Sequence, residues 1–222
     1  MIDEYETEPV PGLPELLPEG EALLWQGAPH WTGLARHVFH ARAIAFYFGL
    51  LIVWLLGSTY WTGDDMAMAA ASVLRIGVVA AVALGLVALL ARLTSRTTIY
   101  TITSRRVVMR YGIAMPISVN IPYTIISSAN VNIHGDRTGD IALTLTGNGK
   151  LAYFHLWPHA RPWHLTKTQP MLRCLAEPAM VANLLSKALS EASPSSERST
   201  VTISDGASPA TMTGGSAAAV AA

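Results

Sequence analysis

Thr97–Gly112 reads TTIYTITSRRVVMRYG, an alternating stretch with an arginine pair near its middle. A turn at Ser104-Arg105 sets Ile102 opposite Val107 and Tyr100 opposite Met109. These four side chains share one face, while Thr101, Thr103, Arg106, Val108 and Arg110 take the other. One apolar and one mostly polar face is what an antiparallel sheet covering a single core requires. A β-rich body therefore begins at this point in the chain.

A pair of apolar runs stands immediately before it. Ala43–Trp61, AIAFYFGLLIVWLLGSTYW, is nineteen residues without a charge. As a helix it is about 28 Å long, enough for a bilayer core. Tyr60 and Trp61 close it, as interfacial aromatics do. The second run lies within Met66–Ala91 and is interrupted by Arg75. The expected span is 71–91, with Arg75 snorkelling to the nearer interface. Only Thr62, Gly63, Asp64 and Asp65 connect the runs, so they form a tight helical hairpin. Arg36 and Arg42 precede the first span (43–61), Arg92 and Arg96 follow the second, and the turn holds no base. The positive-inside rule then places both termini in the cytoplasm of a multi-pass inner-membrane protein. Gly77, Ala81 and Gly85 recur every four residues along the second span. Small residues at that spacing admit a closely packed helix, either the first span or one from another subunit, a second copy or a client.

Composition agrees with a chain partly in lipid. Apolar residues make up 51% of the 222 and charged residues 14%, against roughly 25% charged in soluble domains. Residues 1–41 hold seven acids and one base, whereas 97–192 hold nine bases and four acids. The basic block suits an anionic membrane surface or an acidic partner. No basic run and no alternation of aromatics with bases points to nucleic acid. The single cysteine, Cys174, excludes a disulfide within one chain and a cysteine-based zinc cluster. It reads as a small buried hydrophobe. The acidic N-terminus lacks the basic n-region of a signal peptide.

Downstream, DIALTLTGNGKLAYFHL (Asp140–Leu156) predicts a second hairpin turning at Asn148-Gly149. That register pairs Leu145 with Ala152, Leu143 with Phe154 and Ile141 with Leu156. PISVNI (Pro116–Ile121), IISSANVNI (Ile125–Ile133) and PMLRCL (Pro170–Leu175) read as further strands. Glu177–Ala192 reads as a helix with Pro178 in its first turn and Val181, Leu184, Leu185 and Ala188 in one apolar stripe. The fold expected is an α+β membrane protein. A two-helix transmembrane hairpin carries an antiparallel β barrel or sandwich over 97–192, capped by a C-terminal helix. An acidic, proline-rich, extended head occupies 1–19 and a pre-membrane segment 20–42. The Ser/Thr/Gly/Ala-rich tail, 193–222, is expected to be disordered.

No catalytic constellation is spelled out, and neither an enzyme nor a cofactor is expected. GNGK at 147–150 lacks the earlier glycine and following Ser/Thr of a phosphate loop, and GDRTGD lacks the ligands of a calcium loop. His37 and His40, about one helical turn apart, lack a third ligand for a metal. FHLWPHARPWHL (Phe154–Leu165) gathers Trp157, His159, Arg161 and Trp163. Aromatic side chains and arginine are what interface hot spots use. Together with Arg106 and Arg110, this loop is the expected contact for a partner protein or for lipid headgroups.

Several segments taken together carry a family likeness: LPEGEALLWQGAPHW (Leu17–Trp31), the two spans, YTITSRRVVMRYG (Tyr100–Gly112), IPYTIISSANV (Ile121–Val131), HLWPHARPW (His155–Trp163) and PMLRC (Pro170–Cys174). The chain resembles the PuhB-type photosynthetic complex assembly proteins of purple bacteria, within the wider bacterial pleckstrin-homology-like, YdbT-like membrane proteins. The resemblance covers about residues 15–192. It implies a pleckstrin-homology-like sheet with a capping helix. It also implies a non-enzymatic role in assembling the reaction centre and core light-harvesting antenna in the bacterial inner (intracytoplasmic) membrane, with their subunits as partners. The basic block supports the alternative of a lipid-binding or envelope-maintenance protein.

Overall fold

The structure, a computed structural model, describes residues 12–13, 16–63, 65–146, 153–164, 168–192 and 200–205. In chain order these give β1 (Leu23–Gly27), a helical turn α1 (Trp31–Gly33) that continues as a π-helical turn over Leu34–Val38, and the long helices α2 (Ala41–Thr62) and α3 (Met66–Thr97). There follow β2 (Ile99–Thr103), β3 (Arg106–Tyr111), β4 (Ile117–Pro122), β5 (Ile126–Ile133), β6 (Gly139–Leu145), the turn α4 (Tyr153–Leu156), β7 (Met171–Leu175), α5 (Pro178–Ala192) and β8 (Thr200–Asp205).

Both long helices are apolar and long enough to cross a bilayer. Their large side chains, among them Phe46, Trp54, Trp61, Leu74 and Val82, point outward rather than into a protein core. Local chemistry sets the turn between them. Gly63 at φ 72° closes α2 with its N–H on the Thr59 carbonyl, and the Asp65 side chain caps α3 by accepting from the Ala67 N–H at 2.9 Å. α3 has 32 residues, far more than the 71–91 span. Its last turns leave the apolar zone and join the domain: Ala91 and Thr94 are buried, and Ser95 donates to the Pro29 carbonyl at 2.6 Å. The Gly77, Ala81, Gly85 stripe does not face α2. A Cβ added at Gly77 or Gly85 would meet nothing within 4 Å, and Ala81 is exposed.

After α3, Thr98 is the one residue before β2. The first hairpin has the register read from sequence, Ile102 opposite Val107 and Tyr100 opposite Met109. The sheet orders are β1-β2-β3-β4 and β7-β6-β5-β8, with every pairing antiparallel except β5 with β8. Tyr100, Ile102, Val107, Met109 and Ile121 of the first sheet share one core with Val131, Ile141, Leu143 and Leu172 of the second. Val181, Ala182, Leu185, Ala188 and Leu189 of α5 close that core, so the body is a sandwich capped by a helix.

Four expectations need correction. The domain is not confined to 97–192, because β1 precedes the helix pair and pairs with β2. Its short run LLWQG carries little periodicity, yet Trp25 packs on the core and Gly27 leaves room for the Trp25 indole where a Cβ would stand. The head is not extended throughout: Gly12 takes φ 89° against Ile99, and Leu13 beside it is buried. The Asn148-Gly149 turn lies outside the described residues. Of the pairs proposed through it, Leu145 with Ala152 likewise lies outside the described residues, whereas Ile141 stands between Val131 and Leu172, which leaves it no edge for Leu156, and Leu143 lies between Ala129 and the Pro170 carbonyl. Tyr153–Leu156 is instead a helical turn that buries Leu156. Finally, the tail is not entirely outside the fold, since Thr200–Asp205 pairs with β5 along its free edge.

Candidate functional site

The chemistry concentrates where the segment before α2 meets the outer side of the second sheet. In the β6–β7 ladder Ile141 stands opposite Leu172 and Gly139 opposite Leu175. Arg173 and Cys174 thus share the place opposite Asp140, a β-bulge that re-aims both side chains. Cys174 takes φ 52°, a left-handed conformation that a non-glycine residue adopts only when its surroundings fix it. Asp140 supplies that fixing by accepting the Cys174 N–H at 2.7 Å. On its other side the bulge receives the pre-membrane segment. The His30 N–H donates to the Cys174 carbonyl at 2.8 Å, and Gly33 packs against the thiol side chain. Burial, then the Asp140 charge, pushes the Cys174 thiol up to about 12, which makes it inert.

Gly33 is required by that approach, because a Cβ there would stand 2.9 Å from the Cys174 Cβ. Gly33→Ala is expected to cost about 1–3 kcal/mol by overpacking. It should also raise the rate at which a maleimide labels Cys174, which thermal unfolding and labelling kinetics would measure together.

Arg173 is buried, with Nε 3.5 Å from Asp140 Oδ2 and Nη1 3.4 Å from the Ala160 carbonyl. His134 Nε2 approaches the same carboxylate oxygen at 3.3 Å. These are charge contacts, and neither Arg173 Nε nor His134 Nε2 completes a well-angled hydrogen bond. Burial pushes the Asp140 carboxyl up, but His134, the Arg173 charge and the Cys174 N–H outweigh it, so its pKa is lowered. The Asp140 contact in turn raises that of His134. His134 stacks on His37 with ring centroids 4.0 Å apart and planes 9° from parallel. His37 Nε2 meets Asp136 at 3.2 Å, and Arg36 reaches the same oxygen at 3.6 Å. The Thr138 hydroxyl, donating at 2.7 Å, together with His37 holds the Asp136 carboxyl well below the usual range. His40 turns elsewhere, Nδ1 lying 2.9 Å from the Val38 carbonyl, so the two histidines do not form a pair.

The residues expected to make contacts separate into different roles. Trp157 and Trp163 are exposed, Trp163 at 93%, and Trp157 sets its edge on Phe39 at 6.0 Å. Arg161 is half-buried and donates Nη1 to Gln169 at 2.9 Å. His159 is not a contact residue: it is fully buried, with Nδ1 2.7 Å from the Tyr100 hydroxyl and Nε2 3.3 Å from Thr98 Oγ1. The Arg173 N–H donates to that hydroxyl, so Tyr100 links the backbone of β7 to the buried imidazole. Arg106 is likewise engaged, its Nε 2.9 Å from Glu21, whose carboxylate also accepts from Thr103 at 2.6 Å. Arg106 and Arg110 alternate with the core residues Val107, Met109 and Tyr111 of β3, whereas the His159 ring meets Tyr111 at 5.0 Å between centroids, tilted by 50°. The two arginines therefore lie on the face of the first sheet away from the tryptophan loop. Sequence reasoning missed Asp140, His134 and Arg173, which only the bulge assembles. The one signal was an acid and a base inside otherwise apolar strands.

Comparison with known proteins agrees with this architecture. The family model described as Bacterial PH domain matches residues 42–189. A protein of Rhodobacter capsulatus named "Uncharacterized 23.7 kDa protein in puhA 5'region" is 42% identical over 188 residues, which is 83% of this chain and 87% of that protein. No solved structure matches the chain. The matched region takes in both long helices and most of the two sheets, and the chain belongs to the bacterial PH domain family.

Proposed function

We propose that this protein is a non-enzymatic, membrane-anchored assembly factor for the photosynthetic reaction centre and its core antenna. The observation that carries the reading is the joining of an outward-facing apolar helix pair to a sandwich built from segments on both sides of it. α2 and α3 would lie in the inner membrane with both termini in the cytoplasm. The sandwich is then held at one depth beside the bilayer, which confines the search for client subunits and raises their effective concentration. The likeness to PuhB-type proteins supplies the client class, and the relative named for the puhA 5' region supports it. The exposed Trp157 and Trp163 with Arg161 are the proposed client contact, and the outward stripe of Gly77, Ala81 and Gly85 would admit a client helix.

A triple variant, Trp157→Ala, Arg161→Ala and Trp163→Ala, is expected to remain inserted and abundant. It should lose most co-purification of reaction-centre and antenna subunits and the near-infrared bands of the membranes. Normal assembly in that variant would remove the loop from the account. Normal spectra after gene deletion would remove the function.

A further inference from the structure

α3 carries a charge, Arg75, that the fold leaves facing outward. It stands nine positions into the helix from Met66, so its Cα lies about 13 Å along the axis from the turn. Tyr60 and Trp61, 85% and 90% exposed, mark the same end of α2, and such aromatics settle at headgroup depth. The Arg75 side chain leans toward that end, as a snorkelling arginine does. It stops at Ser72, whose Oγ accepts from Nη2 at 2.9 Å and donates in turn to the Met68 carbonyl at 3.0 Å. Ser72 is itself six positions inside α3, about 9 Å from its start. The guanidinium therefore stays below the aromatic belt.

An arginine has five N–H donors and no acceptor. Ser72 takes one, and among the described residues Arg75 makes no other hydrogen bond or ion pair. Neither Ala41–Thr62 nor Met66–Thr97 contains an Asp or Glu. Asp65, ten positions away, is engaged in capping α3. Arg92, near the other end of the helix, has its own use, lying 5.8 Å over the Trp31 ring. Hydrocarbon offers the Arg75 donors nothing, and a charge kept at such depth marks a contact with another molecule. Its face runs on through Val78, Val79, Val82, Leu86 and Leu89, each more than half exposed and open to a neighbouring helix. A second copy is a poor occupant, because it brings another arginine to this face and no acid.

We propose that Arg75 is the docking point for a transmembrane helix of another protein, one that carries an aspartate or glutamate about two turns inside its end on the Tyr60–Trp61 side. The guanidinium donates a forked pair of hydrogen bonds to that carboxylate, and Ser72 orients it. The pair sets the depth and register at which the partner helix seats against α3. The inference rests on the bilayer placement of α2 and α3 proposed above, and it names the chemistry of one contact.

Benzoylphenylalanine would be placed at Val78, one turn from Arg75 on the same face, in the full chain in its own membranes, and the cross-linked products identified by mass spectrometry. A product with one other membrane protein, bearing an acid at the stated depth, is expected. Arg75→Leu should lower its yield about tenfold or more, and Arg75→Lys should keep most of it. Changing the partner's acid to its amide should reproduce the loss. Arg75→Glu combined with an arginine in place of that acid should restore the product. Arg75→Leu makes α3 more apolar, so a failure to insert does not account for a loss. Cross-linking to a second copy or to lipid alone, a partner without an acid in its span, or a yield that Arg75→Leu leaves unchanged would each overturn the proposal. A carboxylate-dependent partner that is neither a reaction-centre nor an antenna subunit would keep the Arg75 contact and overturn the client class. Unchanged cross-linking in Arg75→Leu, alongside near-infrared bands lost on gene deletion, would overturn the contact and keep the assembly role.

Discussion

Asp140→Ala is expected to destabilise the sandwich by about 3–5 kcal/mol, the cost of leaving one partner of a buried ion pair uncompensated. Asp140 is buried between Arg173 and His134, and its other oxygen holds the Cys174 N–H. Removing it strands the Arg173 charge and takes from the Cys174 N–H the acceptor it has. Because the bulge also receives His30 and Gly33, the pre-membrane segment should loosen with it. Asp140→Asn keeps an acceptor for the Cys174 N–H but not the charge, and should fall between the two. Denaturant unfolding followed by circular dichroism measures all three, and Asp140→Ala as stable as the natural chain would show that the bulge is held by something else.

Acid should destabilise the protein, beginning below about pH 6.5, the ordinary histidine value. Burial, then the Arg173 charge, depresses the folded His159 pKa to about 3. An unfolded chain takes up that proton first. The His159 contribution is therefore complete above pH 6.5 and is lost as the pH falls toward 3, on the order of 4 kcal/mol across the window. Asp136 and Asp140, both lowered, add losses in the same direction as the pH passes below ordinary carboxylate values. His134 is raised and works the other way: its contribution is present below its unfolded pKa and fades as the pH rises, offsetting part of the acid loss. His159→Gln removes the titration and keeps an amide between Tyr100 and Thr98. It should flatten the stability slope between pH 6.5 and 4, and an unchanged slope would assign the acid sensitivity to the aspartates alone.

Much of the sandwich is legible where pattern and burial coincide. Tyr100, Ile102, Val107 and Met109 alternate in sequence and share the core, so the period gives the register; it does not give the exposure, because Thr101, Thr103 and Val108 of the opposite face are fully buried too. The α5 stripe is equally plain, with Val181, Leu185 and Ala188 buried. Pattern fails where partnering, rather than period, decides. Leu143 and Ile141 alternate whichever strand they meet, and the Asn-Gly signal could not show that β7 takes the edge of β6. β1 is invisible for the same reason, because its partner lies beyond two long helices. At the site, composition finds the exposed Trp157 and Trp163 but cannot distinguish them from His159, two residues from the first and wholly buried. The Arg106–Glu21 pair joins residues on opposite sides of the helix hairpin, and only the folded chain shows that this arginine is already engaged.

Cysteine labelling tests the central claim most directly. Cys174 is buried, so labelling of the natural chain is expected to be slight. Thr62→Cys places a thiol at the turn between the long helices, and Trp163→Cys places one on the exposed loop of the sandwich. In intact spheroplasts a membrane-impermeant maleimide should label Thr62→Cys, and should reach Trp163→Cys only after the membrane is opened. Labelling of Trp163→Cys in sealed spheroplasts, or recovery of the chain in the soluble fraction, would contradict a sandwich tethered to the inner leaflet by a helix pair.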